Sequence, residues 1–83
     1  MTTKEFNKLS INQRLHLLKK EGEFIGSRLS LGHRVHLFSC RGHFLEMWIL
    51  IGIDQIRWIE IQTNSSILNL YIEKIDLRKS LDT

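Results

Sequence analysis

Apolar and polar residues alternate along two neighbouring stretches of the chain, residues 33–40 and 43–51. Alternation with a period of two is typical of half-buried β-strands. The loop between them, residues 40–42, ends in a glycine, which suits the left-handed last position of a three-residue hairpin loop. A third stretch, at 56–62, continues the pattern after a turn at 53–55. Because loops this short cannot make a parallel crossover, the pattern predicts a three-stranded antiparallel meander.

The expected three-residue loop also predicts which residues face one another across the first hairpin. It pairs Leu37 with Leu45 and His36 with Glu46. Side chains alternate along a strand, so this register sorts the residues onto two faces. The aliphatic face is expected to hold Val35, Leu37, Leu45, Met47, Ile49, Ile59 and Ile61. The second face, here called the predicted aromatic face, is expected to hold Arg34, His36, Phe38, Phe44, Glu46, Trp48 and Trp58.

A helix is predicted over residues 11–21. Ser10 and Gln13 have the spacing of a capping box, in which each side chain bonds the backbone N–H of the other residue. Apolar residues then recur at helical spacing as far as Leu18, which indicates one buried stripe. Gly22 follows as the expected C-terminal stop.

The remaining segments show weaker patterns. Residues 1–9 are interpreted as a flexible N-terminal lead-in. Residues 24–31 fit either a short fourth strand or an irregular return segment. Turn residues at 63–66 and the helical spacing that follows favour a C-terminal helix beginning near Ser66, although alternate positions there also fit a strand. The prediction is a single α+β domain over residues 10–81, a two-layer α-β-β-β-α unit with both helices on the aliphatic face.

Composition places the chain among ordinary globular proteins. Of its 83 residues, 42% are hydrophobic and 25% are charged, which is usual for a folded domain. A chain this short buries only about 60% of its unfolded surface, so association would add useful burial. The formal charge of +3 is uneven, since residues 1–44 carry eight Lys/Arg and three Glu, whereas residues 45–83 carry four Lys/Arg and six Asp/Glu. The basic first half leaves an acidic partner such as nucleic acid open.

The compartment is predicted from what the sequence lacks. Its single cysteine, Cys40, excludes a disulfide within the chain. Residues 1–6 have no apolar core of a signal peptide, and the longest apolar run, residues 47–51, is far too short to span a bilayer. We therefore expect a cytoplasmic protein without a membrane partner.

Histidine and cysteine spacing in the first hairpin is reminiscent of a metal site. His33 and His36 are three residues apart, as are Cys40 and His43, and zinc binds both residue types. Side chains three positions apart on a strand point to opposite faces of the sheet. We therefore predict no metal site.

One pair on the predicted aromatic face has the chemistry of a general base. A carboxylate opposite His36 would raise the pKa of the imidazole, although the simpler interpretation of His36 and Glu46 is a cross-strand pair that stabilises the sheet. No nucleophile motif surrounds Ser39 or Cys40, and the sequence has no phosphate-binding glycine loop. We therefore expect a protein that is not an enzyme and needs no cofactor.

The predicted aromatic face carries the functional hypothesis. Arg34 can stack on Trp48, and Trp, Phe and Arg are enriched at protein interfaces. We predict a protein-interaction or self-associating domain, acting as a homodimer or with another protein. The alternatives are RNA or single-stranded nucleic-acid binding through the same face and the basic half, or burial of the face as core. The predicted binding residues are Arg34, His36, Phe38, Phe44, Glu46, Trp48 and Trp58.

A set of ten residues spread along the chain follows a known spacing. They are Gly22, Phe24, Arg28, Val35, Leu37, Phe38, Phe44, Glu46, Trp48 and Ile56. The spacing resembles a type of short bacterial α-β-β-β-α protein with no assigned activity, in which a capped helix ending in glycine precedes a meander with a Phe-x-Glu-x-Trp-like strand. The resemblance covers residues 10–75 and implies the fold class alone, without functional residues.

Overall fold

Within residues 1–72, two helices precede a four-stranded antiparallel sheet, and a further helix follows it. The structure is a computed structural model that describes residues 1–72. The strands lie in the order β1-β2-β3-β4, so each is hydrogen-bonded to its neighbour in sequence. The elements are α1 (Thr3–Asn7), α2 (Ile11–Glu21), β1 (Glu23–Ser30), β2 (His33–Cys40), β3 (His43–Leu50), β4 (Gln55–Ile61) and α3 (residues 65–72). The predicted α+β class is confirmed.

Helix α2 begins and ends at the predicted residues. The Gln13 N–H donates to the Ser10 hydroxyl at 3.1 Å, and the Ser10 N–H donates to the Gln13 side chain at 2.8 Å, which completes the capping box. Gly22 ends the helix in an extended conformation, with φ −78°. A Cβ atom there would lie 2.6 Å from the Leu18 carbonyl oxygen. Close approach to the last turn, rather than a left-handed backbone, therefore requires glycine.

Helix α1 occupies the segment that was predicted to be a flexible lead-in. Thr2 caps it, and Glu5 completes a second capping box, the same signal that marks the start of α2. Phe6 is fully buried and belongs to the core cluster. Residues 3–7 thus form an ordered part of the fold, which corrects that prediction.

Strand β1 is the fourth strand that the sequence left open. It pairs antiparallel with β2 along its length, with a bulge between Phe24 and Gly26. The bulge inserts one residue, Ile25, on the β1 side of the ladder. The predicted meander therefore gains an edge strand at its start, and the three-stranded arrangement is replaced by a four-stranded one.

The turn between β2 and β3 is shorter than predicted, and this shifts the register by one residue. Cys40 pairs with His43, which leaves a two-residue loop of Arg41 and Gly42 with φ angles of 48° and 78°. Two successive left-handed residues form a type I′ turn, whose twist matches that of the flanking strands. Arg41 adopts the left-handed conformation that the prediction reserved for glycine. The predicted three-residue loop, and the register derived from it, are therefore wrong.

This shift mixes the two predicted faces, as a one-residue slip must. Leu37 pairs with Glu46, and Val35 pairs with Trp48. These two aliphatic residues therefore share a face with part of the predicted aromatic set. The opposite face packs on α1 and α2 around a core of Phe6, Leu18, Cys40, Leu45 and Ile59.

Helix α3 packs on the face that holds Glu46, opposite to α2. The Tyr71 hydroxyl donates to the Glu46 carboxylate at 2.5 Å, and a Cβ atom at Gly26 would lie 3.5 Å from the Tyr71 ring. The prediction that both helices cover one face is therefore wrong. Asn64 caps α3 by accepting from the Ser66 N–H at 2.9 Å, close to the predicted start. The predicted continuation beyond residue 72 lies outside the described residues.

Candidate functional site

The structure divides the predicted aromatic face between the two sides of the sheet. Arg34, His36 and Phe38 lie on the α2 side, where they pair with Ile49, Met47 and Leu45. The remaining four predicted residues lie on the α3 side. They are Phe44, Glu46, Trp48 and Trp58.

His36 and Glu46 are consequently not a pair, and the predicted acid–base contact is wrong. The His36 ring makes an edge contact with Phe24, with centroids 5.5 Å apart. Its Nδ1 atom is buried and has no hydrogen-bond partner among residues 1–72. Burial, helped by the charge of Arg34, lowers the pKa of His36. The imidazole is thus held neutral instead of being charged by a carboxylate.

Glu46 is fully buried and forms the centre of a polar network beneath α3. Its Oε2 atom accepts from the Arg28 Nε–H at 3.0 Å and from the Tyr71 hydroxyl at 2.5 Å. Its Oε1 atom accepts from the Gln62 amide at 2.6 Å. Arg28 also donates to the Tyr71 hydroxyl, at 3.2 Å. The network links β1, β3, the end of β4 and α3 through one carboxylate.

Each ionisable member of this network is held in a single protonation state. Burial alone raises the pKa of Glu46, but hydrogen bonds from Arg28, Tyr71 and Gln62 hold it below its ordinary value. Burial lowers the pKa of Arg28, but its contacts with Glu46 and Tyr71 raise it overall. Burial and the nearby carboxylate raise the pKa of Tyr71 far above the usual range. Since none of the three exchanges a proton near neutral pH, the network fits a structural role.

The two tryptophans lie opposite each other on β3 and β4. The Arg28 guanidinium lies 5.2 Å from the Trp48 ring centroid, a cation–π distance. The arginine that stacks on Trp48 is therefore Arg28, and the predicted stacking by Arg34 is wrong because Arg34 lies on the other face. Trp58 is 48% exposed, and its indole N–H donates to the Glu60 carboxylate at 3.0 Å.

Arg14 covers the exposed edge of β4, which sequence reasoning missed. It is nearly buried, and its guanidinium donates to the Ile59 carbonyl at 2.6 Å, the Leu9 carbonyl at 3.1 Å and the Asn7 carbonyl at 3.3 Å. A covered edge carbonyl is unavailable for pairing with another strand. The only sequence signal is an arginine on the apolar stripe of α2.

Replacing Arg14 by lysine should destabilise the fold by about 1–2 kcal/mol, because one ammonium cannot reproduce the planar three-way donation. Urea unfolding followed by circular dichroism measures the change. The control is Arg34→Lys, at an exposed arginine on β2, which should leave the midpoint unchanged. Equal midpoints for the two variants would contradict the role given to Arg14.

The histidines with metal-like spacing make other contacts. The His33 Nδ1–H donates to the Leu31 carbonyl at 2.8 Å, and the His43 Nε2–H donates to the Met1 carbonyl at 2.9 Å. Within residues 1–72, no three His, Cys, Asp or Glu side chains converge as metal ligands would.

One end of the sheet exposes four aliphatic side chains. The β1–β2 and β3–β4 turns meet there, and the Ile51 N–H donates to the Gly32 carbonyl at 3.1 Å. A contiguous exposed apolar surface on a small protein often marks an interaction site. The four residues, here called the apolar end, are Leu29, Leu31, Ile51 and Ile53, which are 71%, 87%, 48% and 66% exposed.

The two tight turns of the sheet share a geometry but differ in chemistry. Leu31 and Gly32 have φ angles of 49° and 74°, close to the 48° and 78° of Arg41 and Gly42. Asn, Asp and Gly suit such turns best, and a left-handed leucine is uncommon. Arg41 forms two hydrogen bonds to the Glu21 carboxylate, whereas the Leu31 side chain is almost entirely exposed. Neither burial of the side chain nor the geometry of the turn therefore favours leucine at position 31.

Comparison with protein-family models, curated proteins and solved structures finds no match to this chain. The resemblance to a short bacterial protein type therefore stays a prediction. No helix within residues 1–72 combines the length and apolar character needed to cross a membrane. Function is accordingly inferred from the geometry of the described residues.

Proposed function

We propose that this chain is a small non-enzymatic protein-interaction or self-associating domain that uses the apolar end as its contact surface. The observation that carries the proposal is Leu31, which is 87% exposed at φ 49°. Exposure of a leucine and its left-handed backbone are both unfavourable in the isolated chain. A partner that covers Leu31 offsets the first of these costs.

The apolar end replaces the predicted aromatic face as the proposed contact surface. Glu46 is fully buried beneath α3, and the Trp48 ring already has Arg28 against it. The residues on the α2 side, Arg34 and His36 among them, are separated from this group by the thickness of the sheet. Trp58 and Phe44 stay partly exposed and can extend a contact along the α3 side.

The apolar end is less suited to nucleic-acid binding than to protein binding. Single-strand binding uses exposed aromatic rings on which bases stack, whereas the apolar end is purely aliphatic. The two functions also differ in their response to salt. Phosphate contacts release counterions, so nucleic-acid affinity falls steeply with ionic strength, whereas an apolar protein contact responds little.

A pull-down from native lysate, with and without nuclease, tests this proposal. We expect the wild-type chain to recover protein, either further copies of itself or another chain, in a nuclease-resistant manner. Leu31→Asn should lose this recovery, because asparagine suits the turn but removes the apolar apex. The matched control, Arg41→Asn, changes the other turn of the same geometry and should retain it. Nuclease-sensitive recovery, or equal recovery by both variants, would overturn the proposal.

A further inference from the structure

A cavity of about 390 Å³ lies between α3 and the sheet, on the face that holds Glu46. Binding sites for small molecules typically enclose roughly 300–1,000 Å³ and are lined mainly by apolar side chains. We propose that this cavity, here called the α3 cavity, binds a small uncharged molecule with a hydrocarbon chain. Its apolar lining comes from three strands and α3, and consists of Ile25, Leu37, Phe44, Leu68, Tyr71 and Ile72. None of these residues belongs to the apolar end, so the inference is independent of the proposed function.

Tyr71 sets the distance between α3 and the sheet. Its hydroxyl donates to the Glu46 carboxylate at 2.5 Å, and its ring lies 3.5 Å from the position of a Cβ atom at Gly26. Gln62, just before α3, donates to the same carboxylate at 2.6 Å. Closer packing of α3 would break hydrogen bonds to a fully buried charge, which is costly. The polar network therefore keeps the α3 cavity open.

The chemistry of the lining selects an uncharged ligand. Glu46 is already bonded to Arg28 and Tyr71, so this network offers a ligand no charge that is free to pair. The polar lining residues, Ser65 and Asn69, are both exposed and lie about one turn apart on α3. A ligand hydroxyl can therefore meet polar groups at the mouth of the cavity while its chain contacts the apolar lining. A charge buried among aliphatic side chains would be unfavourable.

A slender ligand suits this cavity better than a folded protein or the end of the chain itself. Leu37 and Tyr71 are 2% and 3% exposed, so the inner part of the cavity is narrow and out of reach of a folded protein surface. Residues 73–83 follow the last lining residue, and more than half of them are charged. Burying those charges against aliphatic side chains would be unfavourable, whereas a hydrocarbon chain buries apolar surface on both sides of the contact.

Titration of the isotope-labelled full chain with n-decanol, followed by NMR, tests the proposal. We expect the amides of Ile25, Leu37 and Leu68 to shift and to saturate, while those of Leu31 and Ile53 at the apolar end stay constant. The control ligand is the α,ω-diol of the same chain length, which places a second hydroxyl among aliphatic side chains. The diol should bind more weakly than n-decanol by about tenfold or more.

Two tryptophan substitutions on α3 provide matched variants. Leu68→Trp places an indole in the cavity and should weaken n-decanol binding by about tenfold, the effect of about two methylene groups that no longer fit. Leu70→Trp makes the same change at an exposed residue of α3 outside the lining and should bind like wild type. Thermal unfolding should show that both variants fold, with midpoints close to that of wild type.

Several results would overturn the proposal. They are a titration without saturable shifts at the cavity lining, shifts confined to the apolar end, equal binding of n-decanol and the diol, and equal binding by the two tryptophan variants. A midpoint lowered by Leu68→Trp but not by Leu70→Trp would also overturn it, because the space would then already be filled by the chain itself. None of these results affects the role proposed for the apolar end, which the pull-down tests.

Discussion

Replacing Arg28 by methionine should destabilise the fold by about 3–5 kcal/mol, since it leaves a buried carboxylate without its charge partner. Among residues 1–72, Arg28 is the cation that pairs with Glu46, at 3.0 Å, and the two side chains are 11% and 0% exposed. Methionine fills similar space, so the loss reports the charge rather than a cavity. Urea unfolding at neutral pH measures the difference.

The pH dependence separates this explanation from a general loss of packing. In the wild type, the lowered pKa of Glu46 contributes stability that is present above the unfolded value near 4.3 and is lost as pH falls through the folded pKa. Without Arg28, burial should instead raise the folded pKa above the unfolded value. The variant should therefore lose stability as pH rises. Its loss of unfolding free energy relative to wild type should become smaller as pH falls from 7 towards the unfolded value of Glu46, near 4.3. A deficit independent of pH would contradict the role of the charge pair.

Arg41→Met provides the matched control for Arg28→Met. Arg41 also pairs with a glutamate, Glu21, but that pair is half exposed, at 48% and 32% of the two side chains. Exposed pairs contribute little because water screens them. The variant should unfold at nearly the same urea concentration as wild type.

Replacing Phe6 by alanine should destabilise the fold by about 3–5 kcal/mol, the range for a buried phenylalanine. Phe6 is fully buried, packs in the α2-side core and has the Arg14 guanidinium 4.6 Å from its ring centroid. The lost free energy would include the packing of α1 on the core and the contact between the Phe6 ring and the Arg14 guanidinium. Thermal and urea unfolding measure it.

The control for this variant is Phe24→Ala, because Phe24 is 57% exposed on β1. It should lose much less stability than Phe6→Ala. If residues 1–9 were a detached lead-in, Phe6→Ala would leave the unfolding midpoint unchanged. That outcome would contradict the placement of α1.

Local signals in the sequence predicted most of the helices and strands of this fold. Helix α2 was found from Ser10 to Gly22 because its capping box and stop are contained within the segment itself. Helix α1 carries the same signal at Thr2 and Glu5, and it was missed because its five residues show almost no apolar stripe. Phe6 is the one residue of α1 whose apolar side chain indicates burial of the helix.

The register was not predictable because it depends on one backbone choice. Arg41 in the left-handed conformation shortens the loop by one residue, and that residue reverses the faces of β2 relative to β3. The same register places Val35 and Leu37 on the face opposite to Leu45, so each face of the sheet has apolar residues for a helix to cover. A clean separation of aliphatic and aromatic residues was therefore misleading.

The candidate sites rest on contacts between distant parts of the chain. Arg28 and Tyr71 lie 18 and 25 residues from Glu46 in sequence, so no spacing rule connects them. Leu31 ends the segment 24–31, which fitted either a short strand or an irregular return segment, so the sequence did not predict its exposure. Its exposure became evident only when the turn was placed between β1 and β2.

The central claim is that the apolar end is the contact surface, and the two turn glycines test it most directly. Gly32 and Gly42 occupy equivalent positions in turns at opposite ends of the sheet. An NMR dilution series of the labelled chain follows both amides. We predict that the Gly32 amide shifts with concentration, together with the amides of Leu31 and Ile53, while Gly42 stays constant. Movement of Gly42 instead would contradict the claim, and no movement at either glycine would exclude a second copy of the chain as the partner.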